Sequence, residues 1–314
     1  MTIPVVDLSE FTGEDPKLKE SFVQKLGQAF GEVGFVAVKN HGIPGDLIED
    51  LYRYVQQFFS LPAEKKRAYE IPGLAGQRGY TSFGKEHAKG SDAPDLKEFF
   101  QFGQIVPGNH PLKSEYPDNV MVDQVAGFNE TLFKAYRAFE KSGKSLLQAI
   151  ALYLTLEEHF FDDQIEEGNS ILRAIHYPPI EQEPKSALRA EQHEDINLIT
   201  LLVGASAGGL EILTKQNQWV AVTSLEDQIV VNVGDMLQRL TNNRLKSTTH
   251  RVVNPPREWW HTSRFSIPFF LHPKSAMDLS ALKGCVDENH PKLYPDITAG
   301  QYLDERLREI GLKK

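Results

Sequence analysis

In the first half of the chain, apolar residues recur every three or four positions, which is the spacing of an amphipathic helix. Two such stripes lie between residues 22 and 58, and a longer one lies between residues 128 and 150. Their members are Phe22, Leu26, Ala29, Phe30 and Val33; Leu47, Leu51, Tyr54, Val55 and Phe58; and Phe128, Leu132, Tyr136, Phe139, Leu146, Leu147 and Ile150. Between the first two stripes, "GFVAVKNHGIP" (Gly34–Pro44) predicts a short strand closed by a turn. We therefore predict a mostly helical N-terminal part over about residues 1–165.

From about residue 170 the pattern shortens to that of β-strands, with turn residues between the segments. The segments are Ile171–Pro179, Ile196–Gly204, Gly209–Thr214, Trp219–Thr223, Gln228–Asp235, Ser247–Asn254 and Arg264–Pro273. Many short strands without long helices between them predict an antiparallel sandwich or barrel, and a jelly roll fits their number. The chain is thus predicted to be mainly β with α, with a jelly-roll core over about residues 170–275 and helices packed outside. Residues 276–314 would form a C-terminal segment.

Composition narrows the class of protein without changing this picture. The 314 residues are 40% apolar and 25% charged, and no linker divides them, so we expect a single domain over residues 1–314. A net charge of -9 with dispersed lysines and arginines argues against nucleic acid and anionic membranes as partners. The lone cysteine, Cys285, excludes a disulfide framework and is expected to be an inert thiol. With no signal-peptide pattern and no membrane-length apolar run, a cytoplasmic location is expected.

One stretch, "AEQHEDINLITLL" (Ala190–Leu202), begins with charged residues and continues as an apolar strand. If it is extended, His193 and Asp195 point to one face and Glu194 to the other. Such a pair is either buried and hydrogen-bonded or half of a metal site. His250 lies in another predicted strand, and two imidazoles with one carboxylate are the facial triad of non-haem Fe(II) oxygenases. Zinc would more often use cysteine or three histidines.

A second pair lies in "SRFSIPFF", where Arg264 and Ser266 are two residues apart on a predicted strand and share a face. A guanidinium and a hydroxyl together form a fork that can bind a carboxylate. Taken alone, the pair favours the more ordinary interpretation, in which the arginine closes a surface salt bridge.

Other polar residues allow a structural interpretation beside a functional one. His176 should point away from the site and is interpreted as structural, whereas His261 is the second choice for a third metal ligand. Asp235 is interpreted as a turn cap. Three residues are candidates for substrate contact or for simple packing, namely Arg78, Tyr80 and Phe100.

The ordered set His193-x-Asp195, His250 and Arg264-x-Ser266 resembles the iron- and 2-oxoglutarate-dependent dioxygenases of the isopenicillin N synthase-like family. The segment "VVNVGDMLQRLTNNRLKSTTHRVVNPP" is similar to the family segment that leads to its second histidine ligand. "SAGGLEIL" with "WVAV" resembles the strand pair between the ligands, and "IPVVDLSEF", "GFVAVKNHGIP" and "RGYTSFGKE" resemble the N-terminal region. The resemblance covers nearly the whole chain and implies a double-stranded β-helix, which is a jelly roll.

Residue by residue, the resemblance implies that His193, Asp195 and His250 are the iron ligands. Arg264 and Ser266 would hold the distal carboxylate of 2-oxoglutarate, with Tyr177 of "AIHYPP" assisting. Plant members of the family often carry an asparagine two residues before that tyrosine, where this chain has Ile175.

The implied activity is that of a non-haem Fe(II)- and 2-oxoglutarate-dependent dioxygenase, with dioxygen as co-substrate. It would hydroxylate or desaturate a small organic molecule and release succinate and carbon dioxide. Two alternatives remain open on sequence. One is an Fe(II)-dependent oxidase of the same fold that does not use 2-oxoglutarate, such as isopenicillin N synthase or aminocyclopropane-carboxylate oxidase, which keep a similar Arg-x-Ser. The other is a non-enzymatic jelly roll that binds a carboxylate.

Overall fold

The computed structural model describes residues 3–74, 76–86, 94–184, 186–204, 208–223 and 227–309. The helices are α1 (Leu8–Thr12), α2 (Pro16–Glu32), α3 (Gly45–Phe59), α4 (Ala63–Arg67), α5 (Phe128–Tyr153), α6 (Asp162–Ile165), α7 (Asp235–Leu240) and α8 (Ala299–Glu309). Short 3-10 turns cover Pro111–Ser114, Arg257–Trp259 and Lys283–Cys285. Among the described helices, none is both long enough and apolar enough to cross a membrane. Each of the three predicted helical stripes lies largely within a helix: α2, α3 and α5.

Within the described residues, the strands form two sheets. They are β1 (Val5–Asp7), β2 (Phe35–Lys39), β3 (Gly79–Thr81), β4 (Glu98–Gly103), β5 (Ile171–Tyr177), β6 (Ala190–His193), β7 (Ile199–Val203), β8 (Leu210–Leu213), β9 (Trp219–Ala221), β10 (Gln228–Val233), β11 (His250–Val252) and β12 (Arg264–Leu271). The large sheet has the order β1-β2-β10-β7-β12-β5-β4-β3, and the small sheet has the order β6-β11-β8-β9. Apart from the parallel β1–β2 pair, neighbouring strands are antiparallel, and the predicted jelly roll is confirmed.

The N-terminal part contributes more β structure than its sequence pattern predicts. β1 and β2 extend one edge of the large sheet, and β3 and β4 extend the other. β4 was missed because all six of its residues are buried, so the polar–apolar alternation of a half-exposed strand is absent. β1 and β3 have three residues each, which is too short for a periodic signal.

Helix α5 packs across the outer face of the large sheet. Phe269 of β12 is fully buried against it, with its ring centroid 5.4 Å from that of Phe139 and 5.1 Å from that of Tyr136. Further along the helix, Gly143 packs on Leu271, because a Cβ atom there would overlap that leucine side chain. The close fit between α5 and β12 supports the strand that carries Arg264 and Ser266 on its opposite face.

Replacing Phe269 with alanine should therefore lower the free energy of unfolding by about 3–5 kcal/mol, because it leaves a cavity between α5 and the sheet. Phe133→Ala on the same helix is the matched control, since that side chain is 42% exposed and its loss should cost less than about 1 kcal/mol. Urea denaturation of both variants measures the difference. Equal losses would show that the α5–β12 contact does not stabilise the fold.

Candidate metal centre and its cavity

A cavity of about 540 Å³ lies between the two sheets. The large sheet contributes Ile175, Thr200, Ser266 and Phe270 to its wall, and the small sheet contributes His193 and His250, among others. Because successive side chains of a strand alternate between faces, every second residue of β12 points into the cavity, as Arg264, Ser266, Pro268 and Phe270 do. The jelly roll thus brings side chains from distant parts of the chain into one space.

Three potential metal ligands meet in this cavity. His193, Asp195 and His250 offer ligand atoms that all lie within 4.8 Å of one another, the one such cluster found in the described part of the chain. His193 ends β6 and is the register partner of His250, the first residue of β11. Nε2 of His250 lies 3.8 Å from Oδ1 of Asp195, and Nε2 of His193 lies 4.0 Å from it.

The extended interpretation treats Ala190–Leu202 as one strand, but the structure does not show one continuous strand there. β6 ends at His193 and β7 begins at Ile199, so Asp195 lies in the connecting turn. The turn still directs Asp195 to the histidines, whereas Glu194 accepts a hydrogen bond from the Thr249 hydroxyl at 2.8 Å. The convergence of His193 and Asp195 is therefore observed, but strand alternation is not its cause.

Backbone carbonyls fix the tautomer of both histidines. Nδ1 of His193 lies 2.7 Å from the Glu191 carbonyl, and Nδ1 of His250 lies 3.1 Å from the Thr248 carbonyl. A carbonyl only accepts hydrogen bonds, so each Nδ1 carries the hydrogen and each Nε2 presents its lone pair. Burial, reinforced by the neighbouring His250, lowers the pKa of His193 to about 4, which keeps its imidazole neutral. Both rings are thus prepared to bind a cation through Nε2.

Asp195 is held in the same way from its other side. Its Oδ2 accepts hydrogen bonds from the Thr200 hydroxyl at 2.6 Å and from Nδ2 of Asn232 at 2.8 Å, which leaves Oδ1 facing the imidazoles. Burial alone would raise the pKa of this carboxyl, but the two histidines and the two hydrogen bonds bring it below its usual range. A carboxylate with two imidazoles is a donor set that suits Fe(II).

Arg264, Ser266 and Tyr177, which the resemblance implies as 2-oxoglutarate contacts, line one end of the cavity. Arg264 pairs in register with Tyr177, and its guanidinium carbon lies 5.0 Å from the centroid of the tyrosine ring. Arg264 is only 1% exposed, so the interpretation as a surface salt bridge is wrong. Ile175, which stands where plant relatives carry asparagine, is the register partner of Ser266 and also lines the cavity.

A second guanidinium strengthens the positive charge at this end. Arg189 is 2% exposed and donates a hydrogen bond to the Thr262 carbonyl at 2.9 Å. Burial, together with the charge of Arg264, lowers the pKa of Arg189 to about 10, so it remains protonated at neutral pH. Two buried guanidinium groups close enough to repel each other favour an anion at this end.

The other histidines singled out in the sequence lie elsewhere. His176 is structural, as predicted, with ring nitrogens 2.7 Å from Oε1 of Glu98 and 3.0 Å from the Ser263 hydroxyl. His261 lies in an exposed loop beside Trp259 and does not join the ligand cluster.

The interpretation of Asp235 as a turn cap is wrong, because no side-chain cap is made on α7. It lines the cavity instead, and its carboxylate accepts a hydrogen bond from the Tyr302 hydroxyl of α8 at 3.1 Å. Burial raises the pKa of Asp235 to about 6, and the negative charge of Glu194 adds to this shift.

The candidate substrate contacts Arg78, Tyr80 and Phe100 do not line the cavity, so their packing interpretation is the one observed. Arg78 donates to the Gln77 carbonyl, Tyr80 is hydrogen-bonded to Glu98, and Phe100 packs on Phe58 with centroids 5.1 Å apart. Cys285 is buried, and burial raises the pKa of its thiol, which agrees with an inert cysteine.

Sequence reasoning missed several residues of the cavity wall. Glu86, Lys97 and Arg173 form a buried ion-pair network, and Leu303 and Leu307 of α8 cover the cavity. "DLKEFFQFG" does mix charges with aromatic residues in a buried strand, which could have indicated a buried ion pair. The C-terminal helix carries no signal for its position over the cavity.

Two family models match the chain. One, described as the non-haem dioxygenase in morphine synthesis N-terminal region, matches residues 3–124, and the other, the 2OG-Fe(II) oxygenase superfamily, matches residues 168–273. A curated relative, a proline hydroxylase of Petromyces alliaceus, is 35% identical over 98% of this chain and 99% of its own length.

Solved structures agree with these matches. A 2OG-Fe(II) oxygenase family protein from Caulobacter crescentus is 41% identical, with a TM-score of 0.89 over 98% of this chain and 99% of that one. A full-length Neurospora crassa protein, crystallised with alpha-KG and thymine, is 32% identical, with a TM-score of 0.86 over 98% of this chain and 96% of that one. The chain therefore belongs to the 2OG-Fe(II) oxygenase superfamily and is an oxidoreductase that uses Fe(II), 2-oxoglutarate and dioxygen.

The hydrogen bonds on Asp195 generate a prediction. Thr200→Val keeps the side-chain shape but removes the hydroxyl that holds Oδ2, so the affinity for Fe(II) should fall about 10- to 100-fold while the fold is retained. Thr223→Val, at an exposed position, is the control. Anaerobic titration with Fe(II) measures both. Unchanged affinity in Thr200→Val would mean that this hydroxyl does not orient the carboxylate.

Proposed function

We propose that His193, Asp195 and His250 are the ligands that hold Fe(II) in this enzyme. The observation that carries this assignment is the convergence of two Nε2 atoms and one carboxylate oxygen, each oriented by a hydrogen bond on its far side. Three protein ligands on one side of the metal leave positions open for a co-substrate and dioxygen.

Arg264, Ser266 and Tyr177 are proposed to bind the distal carboxylate of 2-oxoglutarate. The buried guanidinium and the hydroxyl two residues away lie on one face of β12, and Arg189 adds positive charge nearby. A guanidinium binds a carboxylate through parallel hydrogen bonds, and the low local polarity strengthens that interaction.

When bound, Fe(II) supplies the activation of dioxygen that is coupled to decarboxylation of 2-oxoglutarate to succinate and carbon dioxide. The residues of the chain position the metal and the co-substrate. Asp195 and the histidines hold the metal, Arg264 and Ser266 orient the co-substrate, and apolar side chains such as Leu202 and Val230 exclude water from the cavity.

The primary substrate is proposed to be a small organic molecule that is hydroxylated or desaturated. The cavity volume of about 540 Å³ is of the size that binds small ligands. The names of the relatives agree, since one is a proline hydroxylase and another was crystallised with thymine. A screen of small metabolites for 2-oxoglutarate-dependent succinate release tests this directly.

We also propose that the chain acts as a single domain. In the large sheet, β2 from the N-terminal part pairs along its whole length with β10 from the core. Cutting between residues 165 and 170 would therefore remove strands from both edges of one sheet.

Replacing any ligand with alanine should abolish turnover and greatly weaken Fe(II) binding, because each removes one of three bonds to the metal. The clearest comparison is His250→Ala with His261→Ala, since His261 lies in the exposed loop. Anaerobic Fe(II) titration and circular dichroism separate metal binding from folding. Full iron affinity in folded His250→Ala protein would exclude His250 as a ligand.

Arg264→Leu should weaken 2-oxoglutarate binding by about 1.5–3 kcal/mol, which is roughly ten- to more than a hundredfold, because it removes a charge-assisted contact. Ser266→Ala should cost about 1 kcal/mol, as expected for a neutral hydrogen bond. Iron affinity should persist in both, and Arg257→Leu on the exposed 3-10 turn is the control. Anaerobic titration of the Fe(II) protein with 2-oxoglutarate measures the effect. Normal binding by Arg264→Leu would refute the carboxylate site.

A further inference from the structure

Strand β6 carries a bulge immediately before His193. Its register against β11 pairs Ala190 with Val252 and then His193 with His250, so β6 has one more residue than β11 over this interval. In a regular strand, Ala190 and His193 would point to opposite faces, because side chains alternate. The extra residue places both on the cavity wall. The direction of His193 therefore depends on the bulge.

The other edge of β6 is not paired with a strand in the described part of the chain, because β6 is the first strand of the small sheet. The segment that precedes β4 runs along this edge instead. The Leu96 amide donates to the Leu188 carbonyl at 2.9 Å. Oδ1 of Asp95 accepts from the Glu191 amide at 3.0 Å. Asp95 thus takes the place of a strand partner for a residue inside the bulge.

Glu191 connects Asp95 to the imidazole of His193. Its amide N–H is held by Asp95, and its carbonyl accepts the hydrogen on Nδ1 of His193 at 2.7 Å. The direction of that carbonyl depends on the backbone conformation of Glu191, which the hydrogen bond to Asp95 restrains. A change at Asp95 should therefore reach Nδ1 of His193 through the backbone.

Asp95 is itself anchored by a row of buried charges. Its Oδ2 lies 2.7 Å from Nζ of Lys97, which also lies 2.7 Å from Oε1 of Glu86. Nη1 of Arg173 lies 3.2 Å from the same Glu86 oxygen. Burial alone would lower the pKa of Lys97, but Glu86 and Asp95 raise it above its usual value, so the ammonium stays charged. Each buried charge in the row thus has an opposite charge beside it.

This row joins the two sheets beside the ligand cluster. Lys97 immediately precedes β4 and Arg173 lies on β5, both in the large sheet, whereas Glu191 belongs to β6 of the small sheet. Nε of Arg173 donates to Oε1 of Gln101, its register partner on β4, at 2.6 Å. The bulge is therefore held from the large sheet as well as by its pairing with β11.

We propose that Asp95 is a positioning residue for His193. By holding the Glu191 amide, it fixes the bulge, and the bulge keeps the Glu191 carbonyl on Nδ1 of His193 and turns Nε2 toward the other two ligands. Asp95 is not a member of the ligand cluster and acts through the backbone of Glu191. This assignment rests on the proposed function, in which His193 is an Fe(II) ligand.

The first measurement needs no metal. In the full-length apo-protein with ¹⁵N-labelled histidine, long-range proton–nitrogen NMR distinguishes an imidazole that carries its hydrogen on Nδ1 from one that carries it on Nε2. Wild-type His193 and His250 should both carry it on Nδ1. Asp95→Ala should convert His193 to a mixture of the two tautomers. His250, whose carbonyl partner is Thr248, should not change. His193→Ala and His250→Ala identify the two signals.

Anaerobic titration with Fe(II) measures the consequence for metal binding. Asp95→Ala should lower the affinity about 10- to 100-fold. Asp95→Asn should lower it less and shift the tautomer less, because its Oδ1 can still accept from Glu191 while its Nδ2 meets the ammonium of Lys97. The asparagine variant keeps the side-chain shape, and it decides the question alone if the alanine variant does not fold.

Glu98→Gln is the matched control. Glu98 is also a buried carboxylate bound to a lysine, with Oε1 2.7 Å from Nζ of Lys66, but it does not line the cavity. Its replacement should leave the His193 tautomer and the iron affinity unchanged. An unchanged tautomer and unchanged iron affinity in the folded Asp95 variants would overturn the positioning role, as would equal changes in Glu98→Gln. Normal iron affinity in His193→Ala would count against the proposed function instead.

Discussion

The functional site depends on the hydrogen bonds that orient three side chains before any metal arrives. The carbonyls of Glu191 and Thr248 fix the imidazoles, and Thr200 and Asn232 hold the carboxylate of Asp195. Burying a carboxylate is costly unless it is paired, and these contacts offset part of that cost while leaving one oxygen available. The chain itself thus arranges these three side chains as a candidate cation site.

The cavity changes in character from one end to the other. Arg264 and Arg189 place two buried guanidinium groups at one end, whereas Asp195 lies toward the other, beside Thr200, the register partner of Phe270. Strand alternation produces this order, because every second residue of β12 faces inward at increasing distance from Arg264.

Much of the site could be predicted from the sequence, and the rest could not for physical reasons. Arg264 and Ser266 share a strand face, so local periodicity suffices to pair them. The residue types alone raised His193 and His250 as a hypothesis, and the family resemblance then assigned both as ligands, because their pairing is a contact between strands 57 residues apart in the numbering.

Asn232 gave no local signal, since it acts on Asp195, which only the folded sheet brings close. The same holds for β4, whose complete burial erases the alternation on which strand prediction depends. Helix α8 is amphipathic in sequence, but its place over the cavity is visible only from tertiary contacts such as the hydrogen bond from Tyr302 to Asp235. Local patterns identified the elements, and tertiary contacts decided their roles.

The most direct measurement is an anaerobic crystal structure of the protein with Fe(II) and 2-oxoglutarate, using anomalous scattering to locate the iron. We expect one iron peak bound by Nε2 of His193, Nε2 of His250 and Oδ1 of Asp195. The distal carboxylate of 2-oxoglutarate should lie on Arg264 and Ser266. Iron bound by other side chains, or a distal carboxylate seated away from Arg264 and Ser266, would contradict the assignment.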